Sequence, residues 1–474
     1  MPIRRLVASV SLESLVPTFA EIRARAGVVE TYPEAALAEV AEAAARRREF
    51  AHVEGEREDR TDLELVTIDP AGSRDLDQAV IVTEAADGWV VHYAIADVAA
   101  HVIPGGHLDR DTWSRVETVY CPDKRVGLHP PQMSEGFASL LPGQRTKAAL
   151  WTIAVRPDGS LGEASVERAW VTSRKQYSYD ELRNRPDAQS RPLLGAMRAL
   201  GDARRAYLRS AGAVTLPKPT QEVIEANGAL ALSFRAGTGV EDDNAQISLL
   251  TGGAAARMML EAGVGILRTM PPATHEAIAQ LRYQSLALGI PWADGKSYGD
   301  VLASLDAGSP AAAAFLNHAT RLFRGAAWEP FDPPSLPMPA NPIHGALASP
   351  YAHVTAPLRR LVDRYGTEVC LAHHGGRPIP PWVLAALGGL GHTMAAGVRK
   401  GSAIDKECVD AVEGAILRPH VGETFDGIGL DDRTVQLTNP AVVARCDGGV
   451  RAGAQQRVRL VSADVTGATF EVRA

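Results

Sequence analysis

Three things are scarce in this sequence, and each absence narrows what the chain can be. The four cysteines, Cys121, Cys370, Cys408 and Cys446, lie far apart with no C-x-x-C pair. Neither a zinc framework nor a redox motif can be assembled from them, and reduced thiols are expected. Long apolar runs are also missing. Arg4 and Arg5 precede an apolar stretch, but Ser9, Ser11 and Glu13 interrupt it, which argues against a signal peptide. No run approaches the length of a membrane span, so no membrane association is expected and the expected compartment is the cytoplasm. No protein partner is evident. Excess positive charge is absent too: the formal net charge is −7, whereas coating nucleic acid by overall basicity needs clustered Lys and Arg. Any contact with nucleic acid must therefore be local. The candidate clusters are Lys124 with Arg125, Arg174 with Lys175, Arg359 with Arg360 and Arg364, and Arg399 with Lys400. Each taken alone is an ordinary solvated face.

What is present is enough for a large core. A chain of 474 residues, 46% of them hydrophobic, accommodates one large domain and one or two small ones. Leu15, Phe19 and Ile22 recur at helical spacing, Gly27 supplies a stop, and Pro33 stands where a second helix can start before Leu37, Val40 and Ala44. The result is a helical hairpin, either a packing appendage or a helix-turn-helix; no recognition helix is identifiable from pattern. From Leu63 the period changes to that of strands: Leu63, Leu65 and Thr67, then Ala79 to Thr83, an Asp87-Gly88 turn, and Trp89 to Ala96. From about Asp180 to Ala396 the pattern is mostly helical, with a proline-rich break around residues 330 to 342. The last stretch, from Gly422 on, returns to five short strands separated by Gly, Asp and Asn turns, which suits a small OB-type barrel. The fold class is α+β, with a helical domain over residues 1–60, a central domain of mixed sheet and helices over 61–415, and a barrel over 416–474.

Two constellations carry chemistry. The spacing Asp69-x5-Asp75-x-Asp77 places three carboxylates on one loop, where like charges repel unless a cation neutralises them. Oxygen ligands of this kind suit Mg²⁺ or Mn²⁺; aspartates are also ordinary turn and cap residues, and spacing alone does not separate the two. The second is TAPLRRLVDRYGTEVCLAHHGG, which the pattern predicts as a helix with Pro357 in its first turn and Gly375 as its stop. Arg359 and Arg360 then fall in the first turn, where the helix dipole disfavours cations by about 0.3–1 kcal/mol each. That placement makes sense if an anion docks there, since helix N-termini and Arg forks both bind phosphate. Exposed arginines on a stable helix are the other reading.

The loop TIDPAGSRDLDQA resembles the catalytic loop of the ribonuclease II (RNB) family, T-I-D followed by D-x-D-D-A. In the family's order, YAIADVAAHV resembles its I-A-D-V segment, and VYCPDKRVGLHPPQMSEGFASLLPGQRTKAAL its Y-x-P, M-L-P and C-S-L-x-P elements. SRKQYSYDEL resembles the S-x-x-x-x-x-Y-D element, and HGALASPYAHVTAPLRRLVDRYG the H-F-G-L…T-S-P-I-R-R-Y-x-D signature. The matches run collinearly from about Leu63 to His373. The resemblance implies a processive, hydrolytic 3′→5′ exoribonuclease that uses Mg²⁺ (or Mn²⁺), acts on single-stranded RNA 3′ ends and releases nucleoside 5′-monophosphates. It implies catalytic roles for Asp77 and Arg359, metal ligation by Asp69, Asp75, Asp77 and Gln78, and RNA contacts from Tyr120, Tyr179, Arg359 and Arg360. For Tyr120 and Tyr179 taken singly, a core aromatic with a satisfied hydroxyl is the plainer reading.

The departures are informative. Gln78 stands where the family has a fourth loop carboxylate and offers only a carbonyl oxygen. Leu249 and Leu250 stand where an acidic pair is expected, and Val223 is the nearest counterpart of an aromatic that clamps the terminal base. Some sixty largely helical residues before the catalytic domain cannot contain the family's two cold-shock domains, which implies a wider entrance to the site. The terminal barrel resembles the family's last OB domain through GETFDGIGL and AGAQQRVRLVSAD. Two other functions stay open: a catalytically weak RNA-binding relative, suggested by Gln78, and an exonuclease acting on DNA, which a substrate pair differing only in 2′-hydroxyls separates.

Overall fold

The computed structural model describes residues 10–473 apart from 47–49, 54, 227, 236, 238 and 307; Arg4, Arg5 and Ser9 lie outside the described residues. Helix α1 (Leu12–Arg25) begins where the Ser11 side chain accepts the Ser14 amide, and its run ends at Gly27, whose φ of 65° suits a residue without Cβ. Helix α2 (Glu34–Ala45) follows Pro33, as the sequence indicates. The two helices bury their apolar faces in different places. Leu15, Phe19 and Ile22 pack with Ile404 and Cys408, while Ala36 and Val40 pack with Val98, Val102 and Leu108. This is the packing of an appendage laid over a larger body.

The sheet begins with β1 (Glu58–Asp59), β2 (Val66–Asp69), β3 (Gln78–Ala85) and β4 (Gly88–Ala96). The first main strand starts later than the alternation of Leu63, Leu65 and Thr67 predicts. Asp59 accepts both the amide and the hydroxyl of Thr61, which turns the chain there, and pairing with β3 is found at Val66. After α3 (His107–Arg115) comes a short hairpin of β5 (Val119–Tyr120) and β6 (Arg125–Val126), then β7 (Arg145–Val155), β8 (Leu161–Thr172) and β9 (Lys175–Ser178). Seven strands form one mixed sheet in the order β1-β8-β7-β4-β3-β2-β9, parallel at β1–β8 and β2–β9 and antiparallel elsewhere.

The middle of the chain is less helical than its pattern suggests. Between α4 (Tyr179–Asn184), α5 (Ser190–Ser210) and α6 (Gly239–Ala262) lies a hairpin of β10 (Thr220–Ala226) and β11 (Ala229–Arg235). Strand β12 (Gly265–Thr269) pairs with β13 (Ala327–Phe331) across an insertion of α7 (His275–Ala287), α8 (Tyr298–Ala303) and α9 (Pro310–Ala319). In the hairpin, Leu230 and Leu232 alternate inward, a period of two that the surrounding helical pattern masks. One short pair, β14 (Ile343–His344) and β15 (Ser349–Pro350), precedes α10 (Leu361–His374) and α11 (Pro381–Leu417). One sheet face buries Tyr93, Ile95 and Trp151 against Leu200 of α5, Ile247 of α6 and Val362 of α10.

The predicted helix at TAPLRRLV is corrected as well: α10 begins at Leu361, with Arg360 at its cap and Arg359 outside it. The backbone ahead of it is engaged elsewhere. The Leu358 amide donates to Asp77, the Arg359 carbonyl accepts from Thr118, and the Leu361 amide donates to Val116. Segment 355–360 is therefore a pinned turn. A buried ion network fastens α10 to the sheet: Arg168 donates to Asp97 at 2.6 Å and to both oxygens of Glu368, and Arg57 donates to Asp97 at 2.8 Å. Asp97, from the IADV segment, is thus a structural joint.

At the C-terminus β16 (Thr424–Gly429), β17 (Thr434–Leu437), β18 (Val442–Asp447), β19 (Gln455–Asp464) and β20 (Gly467–Val472) close into a five-stranded barrel, as expected. It seats directly on α11. A Cβ at Gly414 would lie 1.6 Å from the Asp464 carbonyl, so that contact requires glycine. Among the described residues no helix is long and apolar enough to cross a membrane, and the cysteines are free.

Candidate active site

The acidic loop is shaped by its one buried apolar residue. Leu76 is fully buried, its amide donates to Ser139 Oγ at 3.0 Å, and its carbonyl accepts from the Leu140 amide at 3.0 Å. With Leu76 anchored inward, Asp75 and Asp77 on either side of it both reach the same cleft, and Asp69 reaches it from the end of β2. The cleft holds about 560 Å³ and is also lined by Gln78, Tyr120, Tyr179 and Arg359. A larger groove of about 770 Å³, lined by residues of β3 and α5, contains none of these groups.

Each acid has a distinct setting. Asp77 Oδ1 accepts from the Leu358 amide at 2.7 Å and Oδ2 from Arg359 Nε at 3.3 Å. Burial nevertheless pushes the Asp77 carboxyl up to about 7, against the pull of Arg359 and the Leu358 amide. Burial also pushes Asp69 up to about 6, with Asp75 adding to the rise and Arg359 opposing it. Asp75 accepts from Arg125 Nη1 at 2.5 Å, and the other arm of that guanidinium reaches Glu135 at 2.7 Å. Gln78 donates its amide nitrogen to the Thr355 carbonyl, which ties the acidic loop to the arginine turn.

The remaining predicted residues divide. Arg359 keeps 46% of its side chain exposed at the cleft. Arg360 does not line the cleft; it lies over the fully buried Asp363, donating from Nε at 3.0 Å and Nη2 at 2.8 Å. Asp363 also accepts the Ala356 amide at 2.6 Å, so Arg360 braces the turn that presents Arg359. Tyr120 is 51% exposed. Tyr179 opens α4 behind a Ser178–Glu181 capping box, and its hydroxyl accepts from Asn244 Nδ2 of α6 at 3.0 Å. Val223 packs toward the cluster shared by α11 and the barrel, and Leu250 is core beneath the sheet.

Sequence reasoning missed part of the cleft wall. Thr220, Glu222 and Arg235 of the β10–β11 hairpin and Glu241 in the first turn of α6 line the same cleft as the acids. Arg235 bridges Glu222 at 3.3 Å and also pairs with Glu241. The alternation in TQEVIEA, with Thr220 and Glu222 on one side and Val223 on the other, was the available signal. Of the other basic clusters, Lys124 pairs with Glu30, Lys175 with Asp187, and Lys400 donates to the Gly27 carbonyl.

Asp69, Asp75, Asp77 and Gln78 line the cleft and have side-chain oxygens to offer a cation, and the two raised carboxyls lack full compensation for their burial. Both features fit a hard divalent cation. Among the described residues, no three acidic, histidine or cysteine side chains stand together as a ready cage; Asp75 is turned onto Arg125 instead.

Comparison with known proteins identifies the family and the fold. A model of the RNB domain matches residues 57–368, and one of the RNase II-type exonuclease C-terminal S1 domain matches residues 423–474. Exoribonuclease 2 of Yersinia pestis (strain Pestoides F) is 34% identical over 129 residues, which is 27% of this chain and 20% of that protein. The matched stretch thus spans a fifth of that relative's length. Among solved structures, the apo form of Mycoplasma genitalium RNase R superimposes with a TM-score of 0.83 at 19% identity, covering 96% of this chain and 78% of the other. Yeast Ssd1, a pseudonuclease, superimposes with a TM-score of 0.62 at 15% identity, covering 85% of this chain and 50% of the other. At these identities the superpositions establish the fold.

Proposed function

The chain belongs to the RNB-domain family, and from that membership together with the cleft we propose that it is a processive, cytoplasmic 3′→5′ exoribonuclease that hydrolyses single-stranded RNA to nucleoside 5′-monophosphates. The observation that carries this reading is the convergence of Asp69, Asp75, Asp77 and Arg359 on one cleft flanked by Tyr120 and Tyr179. Mg²⁺ or Mn²⁺, held by Asp69, Asp75, Asp77 and the Gln78 carbonyl, would supply Lewis-acid activation of the attacking water and of the phosphate.

The protein's own groups do the rest. Asp77 holds Arg359 through Nε, which leaves the guanidinium nitrogens to meet charge developing on the phosphoryl oxygens. Tyr120 and Tyr179 offer ring faces on which bases stack without sequence preference, each contact being worth about 1–3 kcal/mol. Arg360 acts through Asp363 by fixing the turn. The test is release of nucleoside 5′-monophosphates from 5′-labelled and 3′-labelled RNA with Mg²⁺, abolished by EDTA; intact RNA after long incubation would overturn the reading. The second reading, a weakly active RNA-binding relative, is favoured by the engagement of Asp75 with Arg125 and by the uncharged Gln78. Binding without release in the same assay would establish it.

Two further outcomes are expected. Gln78→Asp adds a carboxylate beside the acids but removes the donor to Thr355. The Mg²⁺ concentration for half-maximal activity should fall, and turnover at saturating Mg²⁺ should fall with it because the arginine turn loses a tie. An unchanged metal requirement would remove Gln78 from the site.

The second concerns pH. Asp69 and Asp77 have folded values of about 6 and about 7, above the ordinary carboxylate range. In metal-free protein their contribution to stability is full below the unfolded value and is lost as pH rises through 6 to 7. A bound cation competes with those protons. Saturating Mg²⁺ should therefore raise the melting temperature more at about pH 8 than at about pH 5.5. Equal shifts at both would show that these carboxyls do not hold the metal.

A further inference from the structure

The hairpin that carries Tyr120 into the cleft is too small to hold itself. Strands β5 and β6 have two residues each, and an isolated pair of strands is marginal even at greater length. The hairpin nevertheless presents two cleft residues, Tyr120 and Arg125. The Cys121 amide closes its turn by donating to the Lys124 carbonyl at 2.9 Å, Asp75 and Glu135 hold Arg125, and a further brace comes from outside the RNB-matched segment. Arg23 of α1 is 1% exposed and donates from Nη1 and Nη2 to the two oxygens of Asp123 at 2.7 and 2.9 Å. Its Nε donates to Glu30 at 2.6 Å, and the other oxygen of Glu30 accepts from Lys124 at 2.7 Å. Asp123 and Lys124 are the two turn residues just before β6, and the Asp123 side chain is only 4% exposed.

We propose that Arg23 is a positioning residue that acts through Asp123 to set the hairpin, and with it the Tyr120 ring, against the 3′-terminal bases. The proposal rests on the reading of the cleft as an RNA site. A planar guanidinium gripping both carboxylate oxygens fixes direction as well as distance, which a lysine ammonium cannot do. Burying such a pair contributes little net stability, so its effect is geometric. The α1 segment thereby does more than cover apolar surface: it completes the wall on which bases stack.

The test is a double-mutant cycle on the full chain, with a fluorescent single-stranded RNA oligonucleotide as probe. Arg23→Lys and Asp123→Asn are each combined with Tyr120→Ala, and folding is checked by melting, so either folded variant suffices. In the parent background each should raise KM about fivefold while kcat changes less than about twofold, because stacking is weakened while Asp77 keeps Leu358 and Arg359 as its partners. In the Tyr120→Ala background the same substitutions should leave KM unchanged within about twofold, since no ring remains to be placed. Equal increases in both backgrounds, or an unchanged KM in the parent background, would overturn the proposal. If the parent protein releases no monophosphates, the proposed activity fails on its own. The cycle is then read as oligonucleotide affinity by anisotropy, where the same coupling supports the Arg23 assignment and its absence overturns it.

Discussion

Asp77→Asn is expected to lower turnover by orders of magnitude while leaving RNA affinity within about twofold. The carboxylate is 3% exposed and receives the Leu358 amide on one oxygen and Arg359 Nε on the other. An asparagine can keep the first bond by turning its carbonyl toward Leu358, but its NH₂ then faces the Arg359 N–H, donor against donor. Arg359 loses its tether, and the acidic loop loses one negative charge of the set proposed to hold the cation. Affinity survives because Tyr120, Tyr179, Arg125 and Arg235 do not depend on Asp77 for their position. Single-turnover rates and anisotropy with the same oligonucleotide separate the two quantities. Cleavage at the parent rate would mean that this loop is not where the reaction occurs.

How far the sequence reveals this site depends on how local each part is. The acidic loop is contiguous, and Leu76 between Asp75 and Asp77 is enough to predict that the acids share a side. The five barrel strands are equally legible, because each is short, alternating and bounded by turn residues. The arginine turn is half legible. Its composition marks Arg359, but the expected helical first turn does not form, since the backbone groups of Leu358, Arg359 and Leu361 bond to Asp77, Thr118 and Val116. Those partners lie far away in sequence, and no periodicity reports them. The wall of Glu222, Arg235 and Glu241 is hidden for the same reason, because a hairpin and a helix start are brought to the cleft of the acids only by packing. Arg23 illustrates the limit: a basic residue near the end of an amphipathic helix has an ordinary surface reading, and only the fold shows it 1% exposed against Asp123.

The neighbouring arginines Arg359 and Arg360 give the second large effect, because they look alike in sequence and are used differently. Arg359→Lys keeps the charge, yet turnover should fall well below that of the parent, by about a hundredfold if the lost interaction is made mainly in the transition state. The arginine donates from Nε to Asp77 while its terminal nitrogens stay free at the cleft. A lysine has a single ammonium, which can pair with Asp77 or reach a phosphate but has no fork to do both. Arg360→Lys meets a milder requirement. The ammonium can still pair with the buried Asp363, which keeps the Ala356 amide as a second partner, so the turn persists with a somewhat lower melting temperature. The measurement is kcat and oligonucleotide affinity for both variants at one salt concentration, since phosphate contacts weaken with ionic strength. Equal losses of kcat at the two positions would show that only bulk charge matters in this turn, and the assignment of Arg359 to the reacting phosphate would be withdrawn.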